Sequence, residues 1–253
     1  MNYVLITGAS AGIGEAFAHA LAAEKQNLIL VARREDRLAS LATKLSERFG
    51  VSVEVLAADL ATAEGAEKVV SAVTSAGWKL AGLINNAGFG DRGRFSDLSL
   101  ERQLNMIQVN VTSLVALTWK LIPNLKESPN SFIINVASAA AFQAGPGMAI
   151  YYATKAFVLS FSEALHEELR GSGVAVSALC PGATASEFAA EANMADTRLF
   201  KAGTMSAEAV ATTALARRRN AIVIPGLRNR LMIGLGKFSP RLINRRLAGW
   251  LQA

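Results

Sequence analysis

The stretch Val4-Leu5-Ile6-Thr7-Gly8-Ala9-Ser10-Ala11-Gly12-Ile13-Gly14 decides how the rest of the chain is read. Aliphatic residues make a short strand, three glycines follow at a Gly-x-x-x-Gly-x-Gly spacing, and residues 15–24 continue with helical periodicity. A strand that turns over glycines into a helix start presents backbone N–H groups and the positive end of a helix dipole to an anion such as a pyrophosphate. Gly8 permits the tight turn, Gly12 lets the backbone approach the phosphate, and Gly14 lets the helix pack closely on the strand. A plain strand-to-helix connection has a similar composition, so the rest of the chain must decide.

Further along, strand and helix patterns keep alternating. Nearly continuous apolar runs at residues 4–7, 27–32, 52–57, 82–85, 131–136, 175–179 and 221–224 are strands of the kind covered on both faces. Helical periodicity fills 36–49, 63–76, 100–125, 152–170 and 207–217. Right-handed crossovers then stack helices on both sides of the sheet. The expected fold is α/β, a single doubly wound Rossmann-type domain with a seven-stranded parallel sheet, occupying residues 1–226. Its ligand crevice lies beyond the carboxyl ends of the strands.

Composition agrees. At 253 residues the chain can bury a substantial core, and no linker, repeat or low-complexity tract divides it. Cys180 is the only cysteine, so no intramolecular disulfide forms and a reducing, cytoplasmic setting is expected. The start lacks a signal-peptide pattern, and no uninterrupted apolar run is long enough to span a bilayer. His19 and His166 have no Cys or second His at ligand spacing, so no metal site is expected.

Charge is uneven. The net charge is +6, but from Arg217 onward there are nine Arg/Lys and no Asp/Glu. Residues 227–253 form an extension mixing Leu, Met, Ile, Phe and Trp250 with Arg228, Arg230, Lys237, Arg241, Arg245 and Arg246. Such a mixture covers an apolar pocket or partner subunit while its charges reach water, or lies peripherally on an anionic membrane. Packing on its own domain or on a partner is favoured. Nucleic acid is not an expected partner, because aliphatic residues interrupt the cations and stacking aromatics are few.

Two further patterns carry chemistry. In Tyr151-Tyr152-Ala153-Thr154-Lys155 the phenol of Tyr151 and the ammonium of Lys155 stand one helical turn apart on one face, with Ser138 thirteen positions upstream. A nearby cation favours the phenolate, lowering a phenol pKa from its ordinary value of about 10 toward a range useful for proton exchange. A lysine packed along a tyrosine ring shares that spacing. After the second strand comes Ala32-Arg33-Arg34, where an Asp or Glu would bond the 2′-hydroxyl of NAD. Two guanidinium groups instead suit the 2′-phosphate of NADP; pairing with Glu35 and Asp36 is the alternative.

Taken together, residues 7–14, Asn85-Asn86-Ala87-Gly88, Asn110, Ser138, Tyr151, Lys155 and Pro181-Gly182 resemble the short-chain dehydrogenase/reductase family in order and separation. The resemblance implies an NADP(H)-dependent oxidoreductase that passes a hydride between the nicotinamide and a carbonyl or secondary alcohol. It implies that Tyr151 exchanges the proton, Ser138 holds the same oxygen, Lys155 bonds the nicotinamide ribose and stabilises the phenolate, and Asn110 anchors a water relay. By the same resemblance Gly8, Ser10, Gly12, Ile13 and Gly14 meet the pyrophosphate side. Asp59 and Leu60 border the adenine, unless Asp59 only caps the next helix. Asn86, Ala87 and Gly88 line a ribose, and Pro181, Gly182 and Ser186 face the nicotinamide. The common family pattern Pro-Gly-x-Val-x-Thr is altered here to Thr184 and Ser186, which leaves the contacts of that loop open. Residues 187–204 read as a lid, and Phe142, Met148, Phe188 and Met194 either face an apolar substrate or pack the core. The resemblance further implies a homodimer or homotetramer through the helices beginning near residues 100 and 152. A non-catalytic NADP-binding redox sensor of the same fold is the competing reading.

Overall fold

The computed structural model describes residues 2–252 and, within them, every side chain but that of Lys237. Met1, Ala253 and the Lys237 side chain lie outside the described residues. The chain begins with strict alternation: β1 (Asn2–Thr7), α1 (Gly12–Ala23), β2 (Asn27–Ala32), α2 (Glu35–Phe49), β3 (Val53–Ala57), α3 (Ala63–Ser75) and β4 (Lys79–Asn85). Then come α4 (Leu100–Ile107), α5 (Leu114–Lys126), β5 (Phe132–Val136), α6 (Ala149–Glu168) and β6 (Ala175–Leu179). The remainder runs through β7 (Thr184–Ala185), α7 (Phe188–Glu191), α8 (Arg198–Lys201), β8 (Met205–Ser206), α9 (Ala207–Ala216), β9 (Ile222–Val223), α10 (Leu227–Phe238) and α11 (Arg241–Gln252).

Seven strands form one parallel sheet in the order β3-β2-β1-β4-β5-β6-β9. Strand order reverses between β1 and β4, which opens a crevice beyond their carboxyl ends. The two faces explain why the strands are mostly apolar. Val4 and Ile6 of β1, with Leu28 and Leu30 of β2, pack against Phe17 and Leu21 of α1, Leu38 and Leu45 of α2, and Val210 of α9. The alternating residues Leu5, Ile29 and Val31 face Val69 of α3, Leu117 and Leu121 of α5, and Leu165 of α6. Each such large side chain, fully buried, contributes roughly 1.5–3 kcal/mol.

Three departures from the expected elements matter for the site. The continuous helix expected over 100–125 is divided by a π-helical segment at Gln108–Ser113, which contains Asn110. A wide turn of this kind re-aims its side chains. The segment after β6, expected as a lid, has secondary structure of its own: β7 and β8 pair in parallel, Thr184 opposite Met205, and close a loop that carries α7 and α8. Finally, Thr62 caps α3 by accepting from the Gly65 N–H at 3.1 Å, while Asp59 accepts from the Ala61 N–H at 3.0 Å. Asp59 therefore shapes the preceding turn and is not the helix cap. No helix among the described residues is long and apolar enough to cross a membrane.

Candidate active site

A cavity of about 750 Å³ follows the carboxyl edge of the sheet from the glycine turn to the helices α10 and α11. At the turn end, Gly8 (φ +65°) and Gly12 (φ +58°) adopt the left-handed backbone, and both line the cavity. Gly14 stands behind them, where a Cβ would lie 2.2 Å from the Gly8 carbonyl oxygen. Ala11 at the N-cap of α1 makes no side-chain capping bond, so no side chain competes there with an anionic ligand. Thr7 fastens this turn to the next strand. Its Oγ1 accepts from the Asn86 N–H at 2.9 Å and the Ala87 N–H at 3.0 Å, while Asn86 Nδ2 donates to the carbonyls of Thr7 (2.9 Å) and Gly8 (3.1 Å). The bare glycine turn, the uncapped helix start and the length of the cavity fit a dinucleotide.

Ser10, Ile13, Arg33, Arg34, Asp59, Leu60, Asn86, Ala87 and Gly88 all line this end. Arg34 donates to Ser10 Oγ through Nε (3.2 Å) and one Nη (3.0 Å). Its other Nη donates to Glu187 at 2.9 Å, and Arg37 reaches the second oxygen of Glu187 at 2.6 Å. The acidic partner of Arg34 is therefore on the loop after β7, 153 residues away, and not at the start of α2. Those two guanidinium groups hold the Glu187 carboxyl below the usual carboxylate range.

The other titratable groups gather where β5 ends. Ser138 follows β5 and caps a short 3₁₀ turn, its Oγ accepting from the Ala140 N–H at 3.1 Å. Tyr151 and Lys155 stand one turn apart on α6; the Lys155 ammonium is 5.9 Å from the centre of the Tyr151 ring and donates to the Val136 carbonyl at 2.7 Å. Both side chains are buried. Burial pushes the Tyr151 phenol above its ordinary value, against a smaller lowering from its hydrogen bond with Ser138. Burial likewise lowers Lys155 to about 8. The direction is thus opposite to the lowered phenol pKa expected from the spacing. Desolvation by burial is the largest cause, and the Lys155 ammonium is directed at a backbone carbonyl.

Asn110 is buried behind Gly88 and does not line the cavity. Its Oδ1 accepts from the Phe89 N–H (3.1 Å), and its Nδ2 donates to the Phe89 carbonyl (3.0 Å) and to Thr154 Oγ1 (3.1 Å). A Cβ on Gly88 would lie 2.9 Å from Asn110 Oδ1 and 3.3 Å from Lys155 Nζ, so the absent side chain keeps these groups close. Tyr152, the neighbouring phenol, is otherwise engaged: Gln252 Nε2 donates to its hydroxyl in a short hydrogen bond.

Pro181 and Gly182 line the cavity after β6, and Pro181 accepts from the Ala139 N–H at 2.8 Å. Ser186 lies over the glycine turn, its Cβ 3.0 Å from where a Gly12 Cβ would be. Of the four apolar residues singled out in the sequence, Phe142, Phe188 and Met194 line the cavity, whereas Met148 is packed in the core at 1% exposure. Within 89–95 and 143–150 only Phe89 and Gln143 reach the cavity. The remaining apolar wall comes from Leu199, Phe200, Met232, Leu235, Ile243 and Leu247, on α8, α10 and α11. Arg92 ties this wall together, donating to the Gln252 carbonyl (2.8 Å), the Asn193 carbonyl (2.6 Å) and Asp196 (2.8 Å). Sequence reasoning missed Arg37, Glu187, Asn229 and Gln252, which have no motif around them; Thr7 and Thr154 lie inside quoted motifs and were legible in principle.

Comparison with known proteins agrees with this geometry. A family model described as short chain dehydrogenase matches residues 2–197. A sulfoacetaldehyde reductase 2 of Chromohalobacter salexigens is 37% identical over 189 residues, covering 74% of this chain and 74% of that protein. A very-long-chain 3-oxoacyl-CoA reductase of Bos taurus is 31% identical over 192 residues, 74% of this chain but 61% of that protein's length. Among solved structures, a 7beta-hydroxysteroid dehydrogenase superposes with a TM-score of 0.89 at 27% identity, over 98% of this chain and 96% of that one. A short-chain dehydrogenase from Sphingobium yanoikuyae in complex with NADPH superposes with a TM-score of 0.83 at 34% identity, over 95% and 97%.

Proposed function

Because the chain belongs to the short-chain dehydrogenase family of oxidoreductases, we propose that it is an NADP(H)-dependent enzyme moving a hydride between the nicotinamide and a carbonyl or secondary alcohol, with Tyr151 as general acid and base. The observation that carries this reading is the meeting of Ser138, Tyr151 and Lys155 in one cavity whose far end is the glycine turn. NADP(H), when bound, supplies or accepts the hydride. Gly8, Gly12 and Ile13 hold the pyrophosphate, with Gly14 behind them; Ser10, Arg33 and Arg34 receive the 2′-phosphate. Asp59 and Leu60 border the adenine, Asn86 to Gly88 a ribose, and Pro181, Gly182 and Ser186 the nicotinamide side.

The chain's own groups then divide the proton work. A phenol raised by burial is protonated at neutral pH, so Tyr151 is ready to donate to a carbonyl oxygen that Ser138 holds by a hydrogen bond. The Lys155 ammonium, one helical turn from Tyr151, would bond the ribose hydroxyls and stabilise the phenolate left behind. Asn110, fixed by Phe89 and Thr154, supports a water relay that returns the proton. The apolar wall from Phe188 to Leu247 favours a bulky apolar ketone or alcohol over a small polar one. Exposed Trp119 (74%) and Phe157 (43%), on the outer faces of α5 and α6, support a homodimer or homotetramer through those helices.

NADPH oxidation measured against a panel of ketones, small polar to bulky apolar, tests the reading. Turnover should appear with NADPH and favour the apolar members. Tyr151→Phe should lower kcat by about 10²–10⁴-fold with NADPH affinity nearly unchanged; retained turnover would remove the proposed proton donor.

A further inference from the structure

A carboxylate occupies the place that the proposed function gives to a phosphate. Glu187 accepts from Arg34 at 2.9 Å with one oxygen and from Arg37 at 2.6 Å with the other, while Arg34 also holds Ser10 Oγ at 3.2 and 3.0 Å. All three side chains are half-exposed (41%, 46% and 53%), and Glu187 lines the cavity together with Ser10, Arg33 and Arg34. Its neighbours in sequence reach the two working ends. Ser186 lies over Gly12, and the Phe188 ring centre is 5.4 Å from that of Tyr151.

We infer that Glu187 is an internal competitor for Arg34 in the 2′-phosphate subsite, and so sets how strongly this chain prefers NADP(H) over NAD(H). The inference deepens the proposed function and rests on its NADP reading. A phosphate and a carboxylate are both acceptors for the same forked donors, and their like charges oppose joint occupancy. A nucleotide carrying the 2′-phosphate must displace Glu187 from Arg34. One with a bare 2′-hydroxyl leaves the Glu187 pairs intact. Glu187 therefore weakens only the phosphate-bearing form, and its displacement frees the segment that lays Phe188 on Tyr151. Exposed ion pairs are modest, so the expected effect is about three- to tenfold.

Binding of adenosine 2′,5′-bisphosphate and of 5′-AMP to the full chain, measured by calorimetry for wild type and Glu187→Gln, tests this without any substrate. The variant should bind the bisphosphate about three- to tenfold more tightly and 5′-AMP as before, and its NADPH-to-NADH affinity ratio should rise by the same factor. An unchanged or lowered ratio overturns the inference while leaving the NADP reading intact, provided wild type prefers the bisphosphate. A wild-type chain indifferent to the 2′-phosphate sinks both.

Discussion

The two ends of the cavity are built from different materials. At the turn end the wall is backbone, kept bare by glycines where a Cβ would strike a fixed atom, as at Gly14 2.2 Å from the Gly8 carbonyl oxygen. At the far end it is side chain, contributed by α8, α10 and α11 and tied by Arg92 to Gln252, Asn193 and Asp196. A backbone wall recognises what every dinucleotide shares, whereas a wall of aliphatic side chains is adjustable residue by residue. On the proposed reading, the difference teaches that the walls for cofactor and substrate can be altered separately, and the contrast can be broken at either end.

The largest effect is expected at the rigid end. Gly14→Ala forces a methyl into the Gly8 carbonyl and should cost about 3 kcal/mol or more, seen as a lowered thermal midpoint together with loss of both NADPH and NADH binding. An unchanged midpoint would show that the turn yields. Between the ends, Lys155→Met should stabilise the ligand-free chain by roughly 2–3 kcal/mol at pH 7 while removing activity. The sign follows from a folded pKa of about 8 below the ordinary 10.5: the burial cost is full below pH 8, fades as the folded lysine loses its proton, and is gone above 10.5. Denaturant titrations across pH 7–11 should therefore show wild type gaining on the variant as pH rises; parallel curves would contradict a desolvated ammonium.

At the far end the effects shrink and become selective. Arg92→Ala removes three bonds holding α11 to the loop after β7, and should raise KM for a bulky apolar ketone by about tenfold while sparing the affinity for NADPH. A matching loss of NADPH affinity would mean that the two ends are coupled. Smallest of all, Leu247→Ala trims the lining and should change KM for the same ketone by about three- to tenfold, with little change for a small polar ketone. Equal shifts for both would remove Leu247 from substrate choice.

This contrast also explains what was legible in the sequence. The glycine turn and the Tyr151–Lys155 pair are local: steric exclusion or helical spacing ties each residue to its neighbours, so a short window contains the information. The sheet was legible because strands buried on both faces must be apolar at every position, as β1 and β2 are. Asn110 was legible only through the family resemblance, and its buried bonds to Phe89 depend on a π turn that no local propensity announces. The partner of Arg34 was hidden altogether, because Glu187 meets it only after the whole sheet has formed. The apolar lining from α10 and α11 has no spacing of its own, since any aliphatic residue facing inward would serve. Even the local phenol–ammonium pair gave the wrong direction for the Tyr151 phenol, because burial depends on the completed fold.

The short parallel pairing of β7 with β8 has a practical consequence. Residues 184–185 and 205–206 lie side by side, so the intervening segment leaves and rejoins the body at one place, with its Met205 N–H to Ala183 carbonyl bond (3.0 Å) acting as a clasp. Lengthening such a closed loop adds only about 0.6 kcal/mol per doubling. The span between those anchor points is therefore a cassette: transplanting the corresponding segment of a relative should retool which ketones are accepted without disturbing the seven-stranded scaffold beneath.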